Sequence, residues 1–376
     1  MDNLISHLKE KAESVNNPSY EPPIFFDLQN VDDEKKLSVL IDEKKDIKII
    51  DSYSDQIKEL IAVNRPSLLK NPKNIQEVFE KTNKDSRDGV WVYFPWRNTI
   101  VHILKEADYQ KLRVSRNYNL ITRAEQKKFA AAKIAVAGLN VGNPGAICIA
   151  LEGGARKLMK LADNDILSVS NLNRYRAGLS DLGANKAVIS AQQVHETDPY
   201  MGVEVFSRGI NPENLDQFLI KPRIDLLIEE MDSLPLKIAI RESARKHRIP
   251  TIMVTGNGAG LILDVERFDQ KKDLPLLNKY LSERVIAMVR GGNLAKLGFE
   301  EKVLLARDFM GKKYLTKRLQ TSFIEIGKTL ASIPQLAEAS YLRGSVLAYV
   351  ARQIIVGGKM SSGRYIIQVG DSLKKI

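Results

Sequence analysis

The run Lys133-Ile134-Ala135-Val136-Ala137-Gly138-Leu139-Asn140-Val141-Gly142, closed downstream by Leu158-Met159-Lys160-Leu161-Ala162-Asp163, decides the fold. Ile134 to Ala137 is a short apolar run halted by Gly138, which reads as a buried parallel strand feeding a glycine turn. Ala146 to Leu151 reads as the start of a helix that ends near Gly153-Gly154, and Leu158 to Ala162 as a second strand stopping on Asp163. Strand, glycine turn, helix, strand and acid is the plan of a nucleotide-binding βαβ unit. Backbone N–H groups at such a turn can face a phosphate, and the helix dipole favours its charge. Asp163 stands where an acid accepts hydrogen bonds from a ribose hydroxyl. The glycine loop alone says little. Against G-x-G-x-x-G only Gly138 fits, with Asn140 and Asn143 at the other places, and Gly142 and Gly145 offer a displaced version.

The segment after the second strand is more specific. Asp163-Asn164-Asp165 leads into Ser170-Asn171-Leu172-Asn173-Arg174 and then Leu182-Gly183-Ala184-Asn185-Lys186-Ala187. An ordinary dehydrogenase has no need of an Arg and a Lys here. An enzyme that handles a triphosphate does, because two fixed cations hold the β- and γ-phosphates and offset developing charge.

These residues resemble the ThiF/MoeB/ubiquitin-activating superfamily, which adenylates carboxylates using ATP. Its D-x-D, S-N-L-x-R-Q and D-I/L-G-x-x-K-A patterns appear as Asp163-x-Asp165, Ser170-Asn171-Leu172-x-Arg174 and Asp181-Leu182-Gly183-x-x-Lys186-Ala187. The chain departs at Tyr175, where the family has Gln, and in the missing loop glycines. The resemblance implies a nucleotide site of Gly138, Asn140, Gly142, Asp163, Asp165, Asn171, Arg174 and Lys186, with the last two also catalytic. After the apolar run Ile224 to Ile228, the family pattern D-x-x-D-N meets Glu229-Glu230-Met231-Asp232-Ser233. Asp232 falls on the acid that holds Mg²⁺ in relatives, whereas Glu229 and Glu230 read better as solvated loop acids. Upstream, Arg116-Asn117 and Gln126 match the family's entry into the first strand. The resemblance makes Arg116 a candidate arginine finger acting in trans in a homodimer; a surface arginine beside a linker is the open alternative.

The whole chain sets limits. Its 376 residues can bury a sizeable core, and 44% hydrophobic with 27% charged residues is ordinary for a soluble protein. No apolar run reaches 18 residues and the start lacks a secretory pattern, so neither a membrane span nor export is expected. A single cysteine, Cys148, rules out an intramolecular disulfide and multi-cysteine zinc, and the cytoplasm is the expected location. Cys148 lies in the helix after the glycine loop and reads as a packed structural thiol, not a thioester carrier. The net charge of +11 is accounted for by a solvated basic surface plus a phosphate site, so nucleic acid is not an expected partner.

The expected architecture is α/β: a Rossmann-like, doubly wound, mostly parallel sheet over residues 116–376, with 270–330 a helical cap, and a small α/β domain over 1–115. Within the latter, Val90 to Phe94 and Thr99 to Leu104 read as paired strands turned by Pro95 to Asn98. Trp91, Trp96 and His102 fit the core of that hairpin better than a pocket. Gly256-Asn257-Gly258-Ala259-Gly260 lies between two strand runs and reads as a strand-to-strand turn. The expected function is ATP- and Mg²⁺-dependent adenylation of a carboxylate, on a small molecule or the tail of a carrier protein, without cysteine transfer. Two alternatives stand beside it: a nucleotide-binding partner protein that has lost turnover, and an NAD-binding oxidoreductase. The second of these leaves Arg174, Lys186 and Asp232 without a task.

Overall fold

The structure, a computed structural model, describes residues 2–15, 19–71, 73–82, 87–281 and 283–373. Its chain contacts divide it into two units. One comprises residues 20–127 and 192–200, the other residues 1–19, 128–191 and 201–376.

In the first unit, β1 (Ile24–Phe26), β2 (Lys48–Asp51), β3 (Val90–Phe94) and β4 (Thr99–Ile103) form a sheet in the order β1-β3-β4-β2. β3 and β4 pair antiparallel, with Val90 opposite Ile103. Their turn is a short 3₁₀ segment, Pro95–Arg97, closed by Asn98 at φ 44°. Pro95 presets its own φ, and Asn is among the few side chains that tolerate the left-handed region. His102 is buried, with the Tyr53 and Trp91 rings stacked on it at 4.3 Å each. Its ring nitrogens meet Asp51 at 3.1 Å and the Asp88 carbonyl at 2.7 Å. Trp91 and His102 therefore belong to the packing of the hairpin, as the alternation implied.

In the second unit, the strands are β5 (Lys133–Ala137), β6 (Leu158–Ala162), β7 (Val203–Phe206), β8 (Leu226–Glu229), β9 (Thr251–Gly256), β10 (Gly260–Glu266) and β11 (Gly363–Gln368). Among the described residues they make one sheet in the order β11-β10-β9-β8-β5-β6-β7. The strands from β7 across to β9 run parallel, and β10 and β11 are antiparallel additions. This is a Rossmann-like doubly wound sheet. β5, β6 and β8 are buried along nearly their whole length, which is why they read as continuous apolar runs. The chain winds outward from β5 through β6 to β7, then restarts on the other side at β8. The carboxyl ends of β5 and β8 thus form the switch point where open α/β sheets place ligands.

The helix after β5 spans Leu139–Leu151, so it starts well before the Ala146 expected from the pattern. Pro144 inside it hid the early start, because a proline cannot donate the bond that would reach the Asn140 carbonyl. Gly138 makes the turn possible. Its φ is +89°, and a Cβ there would lie 2.4 Å from the backbone carbonyl of Glu230. The helix packs on the long helix Ala337–Val356 through a close approach at Gly344, where a Cβ would fall 2.6 Å from Pro144. Two further helices, Phe299–Met310 and Lys317–Glu325, come after β10; Leu319 and Phe323 of the latter pack with Ile262 of β10. Among the described residues no helix is long and apolar enough to cross a membrane.

Candidate functional site

The floor of the switch point is a buried ion network. Glu229 ends β8 and is fully enclosed. Its carboxylate contacts the Arg241 guanidinium, lies 3.2 Å from Lys237 Nζ, and accepts the Met231 N–H at 2.8 Å. Arg241, also fully enclosed, donates through Nε to Glu266 at 2.7 Å, and Glu266 accepts the Leu277 N–H at 2.6 Å. Burial by itself would raise the Glu229 carboxyl, yet Lys237 and Arg241 together hold it below the ordinary carboxylate value. The expectation of a solvated Glu229 therefore fails. The helix Leu234–Lys246 after β8 turns its Lys237 and Arg241 inward, and i, i+4 spacing puts both on one face.

Glu230 is the neighbour with the opposite fate. It too is buried, not solvated, and its Oε1 accepts the Val254 N–H at 2.6 Å. Burial pushes its pKa up to about 8, with Lys237 and Arg343 acting only in part against it.

The glycine-loop side is also built from carboxylates. Asp163, at the end of β6, accepts the Leu139 N–H at 2.6 Å and the Asp165 N–H at 2.8 Å. The first N–H of the helix is thus taken by Asp163 in this structure, not left free for a phosphate. Burial pushes the Asp163 carboxyl up, and those two N–H groups and Lys186 act the other way. Lys186 opens the helix Lys186–Thr197, is 3% exposed, and pairs with the exposed Asp165 at 3.0 Å. Asn171 is buried and accepts the Ser168 N–H at 3.2 Å, which closes the loop after β6. Tyr175, the departure from Gln, is buried and donates to the Lys186 carbonyl at 3.2 Å, so it fastens this loop to the helix of Lys186.

Arg174 is half-buried. Its Nη1 donates to the Ser170 carbonyl and Asn173, while its Nε has no hydrogen-bond partner among the described residues. Burial draws the guanidinium below its ordinary value, and the charge of Asp232 acts in the opposite direction. Arg174 and Asp232, from the segments after β6 and after β8, are therefore within electrostatic reach of each other. Asp232 is exposed and lines a cavity of about 650 Å³ that also borders Asn140, whose buried Oδ1 has no hydrogen-bond partner among the described residues. Gly138 touches Glu230, and Gly142 packs on Val136. Arg116 lies in the other unit, exposed, in the turn Ser115–Asn117; beside it Asn117 donates to Gln126 at 3.0 Å. Cys148 is half-buried, and burial pushes its thiol up. Arg343, which belongs to none of the sequence motifs, is 4% exposed and lines the same cavity as Asp232. Nothing in its local sequence distinguishes it from a surface arginine on a long helix.

Comparison with known proteins adds a family. Residues 114–273 match the model of the ThiF family. The chain is 32% identical over 333 residues to the uncharacterized protein MT1398 of Mycobacterium tuberculosis, an alignment covering 88% of this chain and 43% of that protein. It is 33% identical over 139 residues to the tRNA threonylcarbamoyladenosine dehydratase of Escherichia coli K12, covering 36% of this chain and 50% of that one. The chain thus spans about half, or less, of the length of these curated relatives. The E. coli dehydratase solved with AMP superposes with a TM-score of 0.48 at 20% identity, covering 67% of this chain and 96% of that chain.

Proposed function

Because residues 114–273 of this chain belong to the ThiF family, we propose that the protein is an ATP-dependent adenylyltransferase that activates a carboxylate. The observation that carries this reading is that the charge of Asp232, after β8, acts on Arg174, after β6, across the switch point. A carboxylate oxygen of the substrate attacks the α-phosphorus of ATP. An acyl oxygen–phosphorus bond forms, the bond from that phosphorus to the bridging oxygen of the β-phosphate breaks, and pyrophosphate leaves with the electron pair. Such a step is promoted by alignment and by charge compensation. Arg174 and Lys186 supply the compensation, Asp163 and Asp165 the polar contacts to the ribose side, and Asn140 a free acceptor at the loop.

Asp232 fits a Mg²⁺ site, since it is an exposed carboxylate at a strand end and magnesium bound to phosphates needs only one or two protein carboxylates. Among the described residues no group of three or more His, Cys, Asp or Glu gathers to hold an ion unaided. Asp232 would hold Mg²⁺ there, which would supply charge neutralisation for the phosphates.

ATP–pyrophosphate exchange tests the reading. Exchange that depends on an added carboxylic acid, together with a thermal shift from ATP and none from NAD, is the expected result. ATP binding without exchange for any acid favours a nucleotide-binding partner protein, and a shift from NAD alone favours an oxidoreductase. The assembly is proposed to be a homodimer, with the exposed Arg116 completing the neighbour's site. Mixing inactive Arg116→Ala and Asp232→Ala proteins should then restore part of the activity, because one site of the mixed dimer keeps both residues. Subunit exchange without recovery removes the trans role.

A further inference from the structure

The cavity beside Asp232 has two kinds of lining. Near β8 and β9 its wall carries Glu230 and Arg343. It is also walled by Phe309, Met310, Leu319 and Ile333, from the helices after β10 and the segment before the long helix. At about 650 Å³ it falls in the size range of small-molecule sites, and a mainly apolar lining with a few converging polar groups is their usual chemistry.

Arg343 is the informative group. Its Nε donates to the Ala339 carbonyl at 3.1 Å and its Nη2 to Gln335 Oε1 at 3.3 Å, both neutral acceptors. Among the described residues it forms no ion pair, unlike Arg241 and Lys237 on the floor below. Two acids act on it through space, Glu230 first and then Glu338, and neither forms an ion pair with it among the described residues. A cavity-lining guanidinium that is 4% exposed and forms no ion pair among the described residues is costly unless an anion joins it. Guanidinium and carboxylate match as a bidentate pair, so an acid is a fitting guest.

We propose that this cavity is an acyl pocket for a small carboxylic acid with an apolar body: Arg343 draws the carboxylate toward the strand ends, and the apolar body lies against Phe309, Met310 and Leu319. The inference rests on the adenylation reading only for the step after binding. It favours a small acid over the polar, flexible tail of a carrier protein.

Calorimetric titration with octanoate, with 3-phenylpropionate and with a pentapeptide ending in Gly-Gly tests it, first without ATP. At least one of the two acids should bind and the peptide should not. Arg343→Gln should weaken the acid at least tenfold and leave ATP affinity within twofold. Leu319→Trp, which narrows the cavity at its apolar lining, should weaken 3-phenylpropionate more than it weakens acetate. If Arg343→Gln shows no cooperative melting, Leu319→Trp decides alone. Binding of neither acid, binding of the peptide in their place, or an equal loss of ATP affinity in Arg343→Gln overturns the proposal; the last outcome would make Arg343 a phosphate ligand. Acid binding without exchange leaves the pocket standing and removes adenylation. Exchange with a peptide tail but not with small acids does the reverse.

Discussion

Glu229 and Glu230 are consecutive acids at the end of one strand, and they belong to two different kinds of region. Glu229 points into the floor, where Lys237 and Arg241 meet it and Glu266 balances Arg241 from the other side. Glu230 borders the cavity, where Arg343 is near but not paired and burial pushes the carboxyl to about 8. In the floor, each charge is answered by another from the same chain. Along the cavity and the adjoining strand ends, Arg343 has no ion-pair partner, and Arg174 Nε and Asn140 Oδ1 no hydrogen-bond partner, among the described residues. Closed networks of the first kind serve the fold. Open sets of the second kind are the ones a ligand could complete.

The contrast can be broken most forcefully on the floor. Arg241→Ala leaves two enclosed carboxylates without their shared cation, and should cost about 3–5 kcal/mol of stability, measured by urea unfolding. A loss below about 1 kcal/mol would mean that the floor is not a closed network. On the open side, Arg174→Ala should lower ATP–pyrophosphate exchange by about 100- to 1,000-fold while the melting temperature stays near that of the parent. A variant that loses stability and activity together would place Arg174 with the floor.

Glu230 sharpens the contrast through pH. Its folded-state pKa is raised from 4.5 to about 8, so the folded protein binds this proton more tightly than the unfolded chain. The associated stability is fully present below pH 4.5, falls as pH rises toward 8, and is gone above it. Glu230→Gln stays neutral and should remove that decline. The variant should match the parent near pH 5 and exceed it at pH 9 by on the order of 1–3 kcal/mol, read from melting curves at each pH. Equal pH profiles would show that Glu230 is paired in solution like Glu229. The smallest effect is expected at Cys148. Cys148→Ala removes a half-buried sulfur outside the charge network of the floor, and should cost about 1 kcal/mol or less, with exchange unchanged. Complete loss of turnover in a folded, ATP-binding variant would assign the thiol a chemical role.

Much of the fold was legible along the chain because its causes are local. The apolar runs of β5, β6 and β8, the glycine at position 138 and the acids ending β6 and coming after β8 arise from strand period and turn chemistry. So does the hairpin of β3 and β4, where Pro95 and Asn98 make the turn. The start of the helix after β5 was not legible, because Pro144 looks like a breaker when the enclosing contacts are unseen. Its first turn is held by Gly138 and by Asp163 from the next strand.

Residue order alone was enough for the βαβ plan, the family and which side chains stand at the strand ends, since period, spacing and residue type are properties of short segments. What the charges of those side chains mean was settled in three dimensions. Glu229 and Glu230 look alike in the chain, and they differ because packing brings Arg241 and Lys237 to one and leaves the other beside an unpaired Arg343, more than a hundred positions away. The cavity, too, exists only where residues after Phe299 return to the ends of β8 and β9. A charge's energy depends on what surrounds it in space, through dielectric and counter-charge, and neither is written in the order of neighbouring residues.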